Sequence, residues 1–239
     1  RVDAVTERLN PLRAARFAGM RKGTQLLGFA GCAEFCERVL GLGLATLEDQ
    51  TAALLARTAD SWQGLLAAHL KAPGASERRA AIADLRYALT GPQFDGLFPS
   101  DGLMPALHAT FLGLRVDIDG QPNLHLDTEE RRLKSERPFC CPVRVPSDIR
   151  LVMMARGGRE DYNHLLHEAG HAVHLAFVDA AAPFAFRCLG DASVTEAYAF
   201  LFNLLLRSPD WLREVTGTQP SEEYLSFALF YHLYQVRRL

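Results

Sequence analysis

The sequence predicts a mainly α-helical protein with one small β element, and three features predict it. Apolar residues recur at i, i+3 and i+4 through most of residues 1–115, the period of a helix with one buried face. Between 114 and 155 the pattern switches to alternation, with β-branched residues and prolines. From Asp161 the helical period returns.

The elements follow in order. "VTERLNPLRAARFAGM", "CAEFCERVLGLGL" and "ATLEDQTAALLARTADSWQGLLAAHL" carry the helical period, and Thr46 of "TLED" is expected to cap the third stretch. "KAPGAS" at 71–76 is a break before the helical run "ERRAAIADLRYAL". "GPQFDGLFPSDG" at 91–102 is rich in turn formers, and Asp101 is expected to cap a helix through "LMPALHATFLGL". "LRVDIDGQPNLHLDT" predicts a β-hairpin around Asp119-Gly120. "PFCCPVRVPSDIRLVMMA" suits short or edge strands, because proline cannot donate to a ladder. Gly157 and Gly158 end it. The change of pattern places a boundary near residue 115, between an N-terminal helical region, 1–114, and a second region, 115–239.

Composition narrows the function. Of 239 residues, 49% are hydrophobic and 23% charged, as in a soluble globular chain. A net charge of -2 gives no reason to expect nucleic acid or an anionic membrane as partner. No run of roughly 18 apolar residues is present, so no transmembrane helix is expected. The opening "RVDAVTERLN" is not a signal peptide, although a chain that opens on Arg1 rather than Met suggests a fragment or a processed form. Five cysteines, an odd and irregularly spaced set, argue against a disulfide framework and suit the cytoplasm. Cys32 and Cys36 read as ordinary helical burial rather than as a ligand pair, since no second pair lies nearby.

Chemistry concentrates in "NHLLHEAGHAVH" at 163–174. His164, His167, His171 and His174 fall three, four and three residues apart, the spacing of one helix face. "HEAGH" fits His-Glu-x-x-His, in which two histidines one turn apart hold zinc. Glu168 lies beside the metal without having to bind it, a position that suits a general base acting on water. With 8 His and 14 Glu in the chain, chance would give this motif about one time in a hundred. Its flanks are apolar, and unpaired histidines and a glutamate buried there would be costly. Metal binding is therefore the expectation. His164 and His174 are expected to line the cleft or to support the ligands.

A catalytic zinc site needs a third protein ligand. Glu196 is the one carboxylate within the apolar helical stretch "VTEAYAFLFNLLL", 25 positions after His171, far enough for a loop and an antiparallel return. The competing explanation for Glu196 is a capping box with Ser193. Asp191 is a candidate partner for a ligand histidine, or else a loop or cap residue.

The run "FCCPVRVPSDIRLVMMARGGREDYNHLLHEAGHAVH", followed by "LGDASVTEAYAFLFN", resembles the thimet oligopeptidase and oligoendopeptidase F family of zinc metallopeptidases, and more closely their bacterial relatives. The similarity is clearest over about 103–206. The resemblance implies a mainly α, zincin-like fold with a small sheet beside the active-site helix and a deep cleft that takes short peptides. It makes 115–239 the catalytic region, with His167, His171 and Glu196 as the Zn2+ ligands and Glu168 as the catalytic base.

Two departures stand out. Where the family often has a second acid seven positions after the ligand Glu, this chain has Asn203. The family's oxyanion-stabilising Tyr and His come from a segment that would follow Leu239, and nothing maps Tyr224, Tyr231, His232 or Tyr234 to that role. The chain is thus expected to be a fragment that binds zinc and hydrolyses short peptides slowly or not at all. An apolar surface around Phe227, Leu229, Phe230 and Leu233 is expected to await the missing segment or a second copy of the chain. The rival expectations are a zinc-binding module with a structural or interaction role, and a zinc hydrolase for non-peptide substrates.

Overall fold

A computed structural model describes residues 2–70 and 82–238. The break at 71–76 and the start of the following helical run lie outside the described residues. No helix among them is long and apolar enough to cross a membrane.

The chain forms two compact units, 1–60 and 61–239. The first holds α1 (Val2–Leu26), α2 (Cys32–Leu40) and α3 (Leu44–Arg57), and α4 (Ala59–His69) begins at its end. Cys32 and Cys36 are half-buried free thiols on α2. Thr46 does not cap α3. The helix starts two residues earlier, and the Leu44 N–H donates to Glu37 Oε1 at 3.0 Å, so a carboxylate from the preceding helix satisfies this terminal donor.

The second unit continues with α5 (Ile82–Thr90), a 3₁₀ turn (Pro92–Leu97) and α6 (Ser100–Gly113). Three strands follow, β1 (Leu124–Asp127), β2 (Phe139–Arg144) and β3 (Asp148–Val152). Then come α7 (Arg159–Ala176), α8 (Phe184–Cys188), α9 (Ala192–Asn203), a second 3₁₀ turn (Leu204–Arg207), α10 (Pro209–Thr216) and α11 (Glu222–Arg237). Leu103, Leu107 and Phe111 of α6 share one core with Leu165, Leu166, Ala169 and Ala172 of α7. The pattern change at 115 therefore marks a change of secondary structure, and helices on both sides of it bury the same apolar surface. Asp101 sits in the first turn of α6 rather than at its cap, which is Pro99.

The hairpin expected at Asp119-Gly120 is absent. The N–H groups of Arg115 and Val116 donate to Leu112 and Phe111 carbonyls, closing the end of α6 instead of entering a ladder. Ile118 is buried as part of a loop, and Asp117 Oδ1 accepts from the Gly120 N–H. Only the later flank becomes a strand, β1, and it pairs parallel to β3. The hairpin that does form joins β2 to β3, in the order β1-β3-β2. Pro142 accordingly lies on an edge strand, where its missing N–H does least harm.

The apolar face of α11 is largely covered within the chain. Phe227 and Phe230 are fully buried. Phe230 stacks on Trp62 at 5.5 Å, and Phe227 packs on Phe94 at 5.0 Å. Of the four residues expected to be exposed, Leu233 is half-buried and only Leu229 is open.

Helix α7 is fixed at both ends. Gly157 and Gly158 turn the chain with φ near 85°, and a Cβ on Gly157 would meet the Ser100 nitrogen at 2.6 Å. The Arg159 N–H donates to Asp95 Oδ1, which serves as a cap from a distant segment. At the other end, Asn123 donates to the Ala176 carbonyl at 2.8 Å and to the Pro146 carbonyl at 2.7 Å. Along its length α7 packs on α9 so closely that a Cβ on Gly170 would stand 2.7 Å from Ala199 Cα and 2.8 Å from the Tyr198 carbonyl oxygen. Backbone cannot yield as a flexible side chain can. Gly170→Ala is therefore expected to destabilise the fold by about 1–3 kcal/mol, although alanine favours the helix. Denaturant unfolding measures this, and an unchanged or raised stability would contradict the close packing.

Candidate metal centre

The site is assembled by α7 and α9. His167 and His171 are one turn apart on α7, with ring centroids 4.9 Å apart and planes nearly perpendicular. Glu196, in the second turn of α9, reaches both. Its Oε2 lies 3.5 Å from His167 Nε2, and its Oε1 lies 3.7 Å from His171 Nε2. One donor atom from each residue falls within 4.8 Å of the others, so the three form a group that can hold a metal ion. A tetrahedral ion with arms of ~2.0–2.1 Å has its ligand atoms ~3.3–3.4 Å apart. The two measured spacings are close to that, and the two-imidazole, one-carboxylate donor set is one that zinc takes.

The histidines are prepared for a metal. His171 Nδ1 is 2.7 Å from Thr195 Oγ1, one position before Glu196, which leaves Nε2 for the ion. Burial, reinforced by His171, pushes the His167 imidazole below its usual value, so it is neutral at pH 7 and offers a lone pair. The centre is also reachable: the Glu196 side chain is 47% exposed, against 20% and 14% for His167 and His171.

Glu168 stands apart from this group. Its Oε2 accepts the Cys140 N–H at 2.9 Å, so the edge strand β2 holds the carboxylate. Burial, with Glu168 and Cys141 nearby, pushes the Cys140 thiol up to about 12, and it stays protonated.

The remaining expected residues are placed as follows. His164 is half-buried one turn before Glu168, and burial pushes its imidazole below the usual value. His174 stacks on Tyr198 at 4.5 Å, its buried Nδ1 has no partner, and it is not in the metal group. Asp191 does not support a histidine. It caps α9, accepting the Ser193 N–H at 2.7 Å, and so takes the role offered to Ser193. Glu196 is left without a capping partner and turns to the histidines. Asn203 is buried two turns beyond Glu196, where it lines a separate cavity. Thr195, Gly170 and the Cys140 N–H were not singled out by sequence. A threonine beside Glu196 and a glycine inside His-Glu-x-x-His were the available signals.

The chain matches no family model, no curated protein and no solved structure. The centre therefore rests on its own geometry.

Two outcomes are expected. Thr195→Val removes the partner of His171 Nδ1 and should weaken zinc binding about 10-fold or more, read by competition with a chromophoric chelator. Protons compete with the metal for both imidazoles, so affinity should fall as pH falls. Because His167 is held below 6.5, its own contribution should persist to pH values beneath that point. A zinc affinity insensitive to acid would contradict ligation by histidine.

Proposed function

We propose that the protein is a zinc-dependent metallopeptidase acting on short peptides. The observation that carries this reading is the division of the acidic groups. Glu196 joins the two histidines, while Glu168, adjacent to His167 in sequence, is held beside them by a strand edge. A structural site would be closed, whereas the half-exposed Glu196 favours one with an open position. The motif spacing shared with the oligopeptidases supports the same choice.

When bound, zinc supplies a Lewis acid that polarises a carbonyl and makes water more acidic. Glu168 takes a proton from the attacking water on its carboxylate and delivers it to the amine nitrogen as the C–N bond breaks. Short peptides are the substrate class the resemblance implies, and β2 supports that choice. It is an edge strand with Phe139 and Val143 exposed, and its Cys140 N–H points at Glu168. An extended peptide laid along that edge passes the same carboxylate. The five free thiols suit a reducing compartment such as the cytoplasm.

The test separates binding from chemistry. Close to one zinc per chain is expected by elemental analysis after gentle purification. Glu168→Gln should keep that zinc and slow cleavage of a mixed short-peptide library by at least about 100-fold, since an amide cannot take the proton. Glu196→Ala should lose zinc. Loss of zinc in the first variant and retention in the second would reverse the two roles, and a folded chain that takes up no zinc would end the proposal.

A further inference from the structure

A cavity of about 180 Å³ lies where the start of α7, the end of α9 and α11 meet. Its polar lining is Arg159, Asn163, Asn203, Arg207, His232 and Gln235, with no aspartate or glutamate. Arg159 is only 2% exposed, and its Nε and Nη1 have no hydrogen-bond partner. Arg207 Nε is likewise buried and unpartnered. The Arg159 guanidinium lies 4.0 Å over the Tyr231 ring and 4.9 Å over Phe227. Those ring faces attract the cation but accept few of its N–H groups.

Two partly desolvated guanidinium groups without a carboxylate are costly to bury. Burial pushes Arg207 below its usual value, and burial together with Arg207 does the same to His232, consistent with a chamber short of negative charge. The Tyr224 hydroxyl accepts a hydrogen bond from the Arg159 side chain, and the rest of the lining, including Phe200, Leu206 and Ala228, is mostly apolar. A fitting ligand thus carries one negative head and an apolar body. Inorganic phosphate could answer the charge of both arginines but brings no such body.

We propose that this cavity binds a small organic monocarboxylate, its head at Arg159 and Arg207 and its body against Phe200 and Leu206. The site adjoins the metal centre, since Phe200 also packs on the His167 ring at 5.3 Å and Asn163 lies one turn before His167 on α7. Binding here requires neither zinc nor peptidase chemistry.

Isothermal titration of the full chain at fixed ionic strength tests it, with phenylacetate, phenylacetamide and inorganic phosphate as probes, each with and without added zinc. Phenylacetate should bind one per chain, at least about tenfold tighter than the neutral amide, and equally with or without zinc. Phosphate should not bind comparably. Arg159→Met, which keeps the length of the apolar stem, should weaken phenylacetate about tenfold or more. Arg207→Met, at a less buried position, should weaken it severalfold and decides the matter if the first variant does not fold. Equal binding of acid and amide, phosphate binding as tight as phenylacetate, zinc-dependent binding only, or an unchanged affinity in Arg207→Met would each overturn the proposal.

Discussion

The contact between α7 and α9 at Gly170 and Ala199 governs the site. A glutamate side chain is short, and Glu196 can place one oxygen 3.5 Å from His167 and the other 3.7 Å from His171 only because the two helix backbones nearly touch. That approach is possible where residue 170 has no side chain. The same contact sets Thr195 against His171 Nδ1, so one packing event positions Glu196 and orients His171.

The rest of the second unit keeps α7 where this contact needs it. Asp95 caps the helix at one end, and Asn123 ties the other end to the sheet region. Leu165, Leu166, Ala169 and Ala172 bury the face opposite the histidines, each large side chain contributing roughly 1.5–3 kcal/mol of burial. The sheet lies alongside with β2 at one edge, and its Cys140 N–H fixes Glu168. His167, His171, Glu168 and Glu196 thus come from two packed helices, with a strand edge holding Glu168, and the site is preorganised rather than carried on loops.

Much of this was legible in the sequence, for identifiable reasons. His167, His171 and Glu168 were marked by local spacing, which a helix converts directly into geometry. Glu196 was marked as a lone carboxylate in an apolar helix. Features that depend on distant partners were not legible. The alternation at 114–119 looked like a strand, but the end of α6 used its backbone donors. Asp191 could cap a helix or support a histidine, and the helix start decided it. Phe227 and Phe230 looked like an exposed face because their cover comes from Trp62 and Phe94, far away in the chain. The lack of partners at Arg159 Nε and Nη1 is equally a property of its surroundings, and no local pattern records it.

X-ray absorption at the zinc edge of the zinc-loaded protein tests the metal centre most directly, because it reads the ligand shell without requiring turnover. The account predicts two imidazole nitrogens and carboxylate or water oxygens at about 2.0–2.1 Å, with the oxygen contribution altered in Glu196→Ala. A sulfur shell at about 2.3 Å would place the metal on the cysteines instead, and would contradict a centre built by the close packing of α7 and α9.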